Sequence, residues 1–211
     1  MRSRSYKERL VEAMFESDAV IIDPYNPYRL RGGYLSPMYV ENSMLLQVPE
    51  YRSLVARNFR KLIRDNRLRY DVIAGLTTAP VSFATTLADE LEAPLIYADP
   101  KTCKIGGVSR DRNIQNKKVI LVEDSVTTGG SACNGVRAIR NAGGLIDHCL
   151  AIVTYDLDEA RENFSGLSCE LHALLTSGDI ITRAIHIPKD ARREVYEWHK
   201  NPVTWTEKHV K

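Results

Sequence analysis

Residues 119–132 read V-I-L-V-E-D-S-V-T-T-G-G-S-A. Four consecutive apolar residues, Val119–Val122, predict a strand buried on both faces. Glu123 and Asp124 follow at its carboxyl end, then a Thr/Gly/Ser turn, then a helix that begins near Ser131. At the carboxyl edge of a parallel sheet this is where ligands bind. Gly129 and Gly130 let the backbone approach closely, and free N–H groups at the helix start attract an anion. Thr127, Thr128 and Ser131 add hydroxyl donors, so the turn is a candidate phosphate site. Acids placed directly against a phosphate would repel it. Glu123 and Asp124 therefore point to a sugar beside the phosphate, with its hydroxyls donating to the two carboxylates. An ordinary capped strand–helix turn is the competing explanation, and it leaves the paired acids unaccounted for. The stretch lacks G-K-[ST] and G-x-G-x-x-G spacing, which excludes two common nucleotide-binding loops.

The same rhythm extends on both sides of this stretch. Asp71–Ala74, Pro94–Tyr97, Lys118–Val122, Ile146–Tyr155 and Cys169–Leu174 predict strands. Pro80–Leu91, Ser131–Ala142 and Asp158–Phe164 predict the helices between them. Alternating strands and helices imply an α/β fold, a mostly parallel central sheet with helices on both faces. Upstream, Tyr6, Leu10, Val11, Met14 and Phe15 recur at helical spacing, and Pro49 opens a helix that carries Leu54, Val55, Phe59, Leu62 and Ile63. Between these helices lie the turn formers Asp23–Pro27 and two short predicted strands, Met38–Val40 and Met44–Val48, outside the main sheet. Asp190–Lys200 predicts a helix ending at Asn201-Pro202, with a tail at Thr206–Lys211. The expectation is one domain over 1–211: a small N-terminal hood of about residues 1–48, to which the C-terminus can contribute, on a core of about 49–187. Asp99–Asn116 breaks the rhythm as 18 polar, Gly-containing residues between strands. A connection that long predicts a mobile lid.

The totals narrow the function classes. The chain has 211 residues, 44% hydrophobic and 27% charged, with a net charge of +2. That balance argues against bulk attraction to nucleic acid or anionic membrane. The basic stretches Arg57–Arg69 and Lys189–Lys200 also carry apolar residues at helical spacing and read as solvated helix faces. Cys103, Cys133, Cys149 and Cys169 are far apart, without CxxC pairs, and predict no disulfide framework. The N-terminus lacks the apolar run of a signal peptide, and no stretch has the ~20 apolar residues of a membrane span. The expected compartment is cytoplasmic. His148, His172, His186, His199 and His209 show no ligand spacing. Trp198 and Trp205 are expected to anchor the C-terminal segment by packing, and Tyr34 and Tyr39 are weak candidates to line a ligand pocket.

The string at 119–132 resembles the phosphoribosyl pyrophosphate-binding signature of type I phosphoribosyltransferases. Leu30-Arg-Gly-Gly-Tyr-Leu-Ser-Pro37 and Tyr39-Val-Glu-Asn42 resemble the early region of orotate phosphoribosyltransferases, commonly L-K-S-G-x-x-S-P. Asp71–Gly75 followed by Leu76-Thr-Thr-Ala79 is similar to that family's strand and pyrophosphate-binding turn. The resemblance covers roughly residues 5–185. It implies the type I phosphoribosyltransferase fold and a Mg²⁺-dependent transfer of ribose 5-phosphate to a ring nitrogen, releasing pyrophosphate. The partners implied are phosphoribosyl pyrophosphate and a nitrogenous base. A homodimer is implied too, in which loop 99–116 of one subunit covers the other's site. Glu123, Asp124, Thr127, Thr128, Gly129, Gly130, Ser131, Thr77, Thr78 and Arg31 are then substrate-binding candidates. Lys101, Lys104 and Asp124 are the catalytic candidates, the lysines stabilising the departing pyrophosphate with Arg110 and Arg112 further along the loop. Mg²⁺ is expected on pyrophosphate and ribose oxygens, with no direct protein ligand assigned.

The departures concern the base and the loop. Asp99-Pro100 replaces a usual loop arginine, and Gly106 a usual histidine. Glu41-Asn42-Ser43 stands where bacterial relatives often read D-N-R. Tyr155-Asp156 stands where an arginine for orotate's carboxylate usually lies, and an acid there would repel a carboxylated base. Orotate is the first acceptor. A phosphoribosyltransferase for a different base and a catalytically weak regulatory binder of the same nucleotide sugar are the alternatives. The absence of a helix-turn-helix domain or basic recognition surface argues against a DNA-binding regulator.

Overall fold

The computed structural model describes residues 5–109, 113–183 and 187–210. In chain order the elements are α1 (Tyr6–Glu16), β1 (Val20–Ile22), β2 (Tyr28–Arg29), β3 (Leu35–Ser36) and β4 (Met38–Val40). A 3-10 helix, Asn42–Gln47, leads into α2 (Pro49–Asp65), β5 (Val72–Leu76), α3 (Ala79–Leu91), β6 (Leu95–Asp99) and β7 (Lys104–Gly106). Next come β8 (Lys118–Val126), α4 (Gly130–Asn141), β9 (Leu145–Thr154), α5 (Asp158–Gly166) and β10 (Glu170–Thr176). The chain closes with α6 (Ser177–Arg183), α7 (Lys189–Lys200) and α8 (Pro202–His209). No helix among the described residues is long and apolar enough to cross a membrane.

Six strands form the central sheet in the order β10-β9-β8-β5-β6-β7. All pairings are parallel except β6 with β7. Each sheet face carries its own apolar layer. Ile73, Ile120, Val122, Leu150 and Ile152 face the side covered by Phe59 of α2 and Phe83 and Leu87 of α3. Val72, Val119, Leu121, Cys149 and Ala151 face the side covered by Val136 and Ile139 of α4 and Phe164 of α5. The alternation follows from strand side chains pointing to opposite faces with a period of two. It is the α/β architecture expected from the sequence.

The chain leaves β5 for β6 on one side and returns to β8 on the other. The loops after β5 and β8 therefore diverge, and a crevice opens between them at the carboxyl ends of the strands.

The N-terminal segment adds two small antiparallel pairs, β1 with β4 and β2 with β3. α1 starts at a capping box, in which the Glu8 N–H donates to Ser5 Oγ and the Ser5 N–H donates to Glu8 Oε2. The Trp198 indole, fully buried, donates from Nε1 to the Leu35 carbonyl at 2.7 Å. Thr206 Oγ1 reaches the same peptide group, so α7 and α8 are tied to β3.

Three expectations are corrected. Met44–Val48 is not a strand: residues 42–47 turn as a 3-10 helix because Glu41 caps it through Ser43 and Asn42 is buried. The stretch 99–116 is not one open loop, since Lys104–Gly106 adds β7 to the sheet edge against β6. Gly106 allows this, because a Cβ there would lie 2.1 Å from the Tyr97 ring. The tail at Thr206 belongs to α8 through His209, opened by Pro202 and capped by Asn201. α6, over Ser177–Arg183, had no sequence-based expectation. Arg110, Arg112 and His186 lie outside the described residues.

Candidate active site

The crevice between β5 and β8 is a cavity of about 770 Å³. Its walls are the turn Thr77–Pro80, the run Glu123–Ala132 and the N-terminal residues Arg29–Gly32 and Tyr39–Glu41. The expected residues Thr77, Thr78, Glu123, Asp124, Thr127, Thr128, Gly129, Gly130, Ser131 and Arg31 are thus brought together.

The phosphate-type turn is built as its residue types require. Gly129 sits at φ 82°, a left-handed conformation that caps α4, and the Cys133 N–H donates to its carbonyl at 2.8 Å. The first N–H groups of α4 remain open toward the crevice, where an anion is favoured. Asn163 of α5 donates to the Thr128 carbonyl at 2.9 Å and holds the turn from outside. Gly32 packs against Thr128 so tightly that a Cβ would lie 2.5 Å from its methyl carbon. Arg31, in the same turn, donates from Nη1 to Ser131 Oγ at 2.9 Å. The peptide joining Thr77 and Thr78 is cis, and the Thr77 N–H donates to the Ala98 carbonyl.

The acid pair is held by its own backbone and by the N-terminal segment. The Asp124 N–H donates to Glu123 Oε1 at 2.9 Å, and the Ser125 N–H donates to Asp124 Oδ1 at 2.6 Å. Asn42 donates from Nδ2 to both the Asp124 carbonyl and Ser125 Oγ. Glu123 is only 5% exposed. Burial, then the neighbouring Asp124, raises its carboxyl well above the ordinary carboxylate range. Burial raises Asp124 too, with Glu41 adding to the effect. Two desolvated acids side by side hold charge reluctantly, so hydroxyl donors or a cation brought by a ligand would be stabilised there.

The family model for the phosphoribosyl transferase domain matches residues 41–163, a run that contains both crevice loops. The chain belongs to the phosphoribosyltransferase family. An orotate phosphoribosyltransferase from Coxiella burnetii is 31% identical over 93% of this chain and 96% of its own length. One from Cutibacterium acnes is 30% identical over 98% of this chain and 96% of its own length. Among solved structures, a UMP synthase from Leishmania donovani superposes with a TM-score of 0.80 at 23% identity, over 93% of this chain and 42% of that one. An orotate phosphoribosyltransferase from Aeropyrum pernix gives 0.73 at 22% identity, over 83% and 98%. These superpositions establish the type I phosphoribosyltransferase fold.

The loop lysines, expected to reach a neighbouring subunit's site, are placed away from this chain's own crevice. Lys101 and Lys104 are exposed on the β6–β7 hairpin and do not line their own crevice. The hairpin turn lies beside it instead: Asn134, which does line the crevice, donates to the Pro100 carbonyl. Tyr34 also points elsewhere, donating to Glu159 at 3.1 Å.

Two lining residues were noted in the sequence only as departures from the family pattern and not as site candidates. Glu41 and Tyr155 join Asp124 around the rim, with Tyr39 donating to Glu41 at 3.4 Å and Val40 N–H donating to the Tyr155 hydroxyl. The clue to Glu41 lay in its place within Tyr39-Val-Glu-Asn42, but nothing local shows that this turn meets β8.

Asp156, the acid noted in the sequence, is placed outside the crevice lining. Its backbone takes φ 61°, its carboxylate pairs with Arg161 at 2.8 Å, and it lines a separate cavity beneath α5. It is paired and is not among the residues that line the crevice.

Proposed function

We propose that this phosphoribosyltransferase transfers ribose 5-phosphate from phosphoribosyl pyrophosphate to orotate, giving orotidine 5′-monophosphate and pyrophosphate. The observation that carries the reading is the crevice itself, with an anion-binding helix start and a desolvated acid pair on one loop and the Thr77–Thr78 turn across the gap. Support for orotate comes from relatives of that name matching nearly the whole chain, and from Asp156 being turned away and paired.

In this reading the α4 N-terminus, with Thr127, Thr128 and Ser131, binds the 5′-phosphate. Glu123 and Asp124 accept hydrogen bonds from the ribose hydroxyls. Thr77, Thr78 and Arg31 face the pyrophosphate. When the bond between C1 and the pyrophosphate oxygen breaks, positive charge develops on the ribose ring and negative charge on the leaving group. The carboxylates beside the ring and the cations beside the pyrophosphate oppose those charges, so catalysis is largely electrostatic. The base nitrogen then bonds to C1 and its proton passes to solvent.

The crevice carboxylates Glu41, Glu123 and Asp124 are hard oxygen donors of the kind Mg²⁺ accepts beside substrate phosphates. Mg²⁺ carried on pyrophosphate and ribose oxygens would supply further charge neutralisation, and no protein atom is assigned as its direct ligand. Lys101 and Lys104 would act in the neighbouring crevice of a homodimer, as a lid supplied in trans. The 99–116 region would then also exclude water that could take the ribosyl group.

The test is a panel of bases incubated with phosphoribosyl pyrophosphate and Mg²⁺, read by pyrophosphate release and product mass. Product from orotate supports the reading. Product from another base alone, or none with the sugar still bound by calorimetry, replaces it with the alternative acceptor or with a binding protein.

A further inference from the structure

At the opposite rim of the sheet, three side chains converge that are distant in sequence. β10 lies parallel to β9 with Glu170 opposite His148 and His172 opposite Leu150. Residues two apart on a strand share a face, so Glu170 and His172 both project beside His148. His172 Nε2 lies 3.2 Å from His148 Nδ1, while Glu170 Oε2 lies 3.8 Å from His148 Nδ1 and 3.5 Å from His172 Nε2. Among the described residues this is the one group of three whose donor atoms close up in this way.

We propose that His148, Glu170 and His172 form a binding site for a divalent transition cation of the zinc type. The three separations, 3.2, 3.5 and 3.8 Å, approach the roughly 3.3 Å between donors around a tetrahedral ion with bonds of about 2.0–2.1 Å, and a small inward shift of the exposed Glu170 carboxylate would seat the ion above the plane of the three donors. Two imidazoles and one carboxylate are a donor set that zinc accepts with a fourth position left to water. Mg²⁺ prefers all-oxygen surroundings and is disfavoured here. The graded exposure fits an open site, with the His172 side chain 10% exposed, His148 26% and Glu170 67%.

This site is separate from the crevice. Tyr155, which lines the crevice, follows His148 by seven residues, about 23 Å at strand spacing. The bound ion would clamp β10, an edge strand bonded only to β9, to the body of the sheet. The cation is therefore structural in this proposal, and transfer chemistry does not require it.

The test uses the full chain, stripped with a chelator and titrated with ZnCl₂ in excess Mg²⁺. Wild type should bind one equivalent, and Co²⁺ in its place should give the intense visible bands of a four-coordinate site. Glu170→Gln, an exposed change that leaves folding intact, should weaken zinc at least about tenfold, and His148→Asn should do the same. Zinc should raise the Tm of wild type, and neither variant should show that rise. Transferase rates of wild type with and without zinc should agree. No zinc uptake by wild type overturns the site, as does wild-type zinc affinity in either variant.

Discussion

Arg31 Nη1 and Ser131 Oγ meet at 2.9 Å across 100 residues of sequence, joining the N-terminal turn to the first turn of α4. This contact closes one side of the crevice and sets a fixed positive charge beside the first N–H groups of α4. Arg31→Ala should lower kcat/KM for phosphoribosyl pyrophosphate by about tenfold or more, chiefly through KM, because one charge-assisted hydrogen bond is lost. Arg31→Lys should restore only part of it, since an ammonium lacks the planar fork. Steady-state kinetics with varied sugar pyrophosphate measures both.

Glu123 makes stability depend on pH in a defined direction. Its folded carboxyl is raised above the unfolded value by burial and by Asp124. The folded state therefore binds the proton more tightly, and stability falls as pH climbs from the ordinary carboxylate range through the raised folded value. In the absence of substrate and metal, Glu123→Gln should melt higher than wild type at neutral pH by a few degrees. That advantage should shrink as pH drops toward the ordinary carboxylate range. Melting curves across pH check this, and a constant difference would refute the assignment. The same variant should lose most of its transferase activity.

Lys104 is exposed on β7 and clear of its own crevice. If the hairpin region serves a neighbouring site, Lys104→Ala should cut kcat by about 10²-fold, the scale for losing one donor that stabilises developing charge. The melting temperature should stay within about 2 °C, as for other surface substitutions. Unchanged turnover would remove the lid from the mechanism.

Trp198 is the pin between α7 and β3. Trp198→Ala should cost about 3–5 kcal/mol, the usual loss for a large buried aromatic, and lower Tm by roughly 10 °C. Trp198→Phe should cost only about 1 kcal/mol, because Thr206 Oγ1 still donates to the Leu35 carbonyl. Thermal melts separate the two, and an equal loss in both would mean that the indole hydrogen bond outweighs packing.

The α/β class, the order of the strands in the chain and the glycine turn at 127–131 were legible because each depends on near neighbours. An apolar run such as Val119–Val122 encodes a buried strand by itself, and Gly129 encodes its left-handed cap by itself. Misreadings fell where a contact elsewhere in the fold outweighs local pattern. Leu45 and Leu46 suit a strand, but Asn42 is drawn into β8 and Glu41 caps the next turn, so the chain coils there. Lys104–Gly106 looked like open loop because the edge of β6 that recruits it is a tertiary feature.

The amino-acid sequence alone thus determined the family-type crevice loop, since Glu123 to Ser131 are contiguous and carry their geometry with them. Only the tertiary structure decided which distant groups share space: Arg31 with Ser131, Asn42 with Asp124, Asp156 away from the crevice, and His148 with Glu170 and His172. The physical reason is strand register. A parallel partner is reached through a long crossover, and a shift of one residue would send every side chain to the other face.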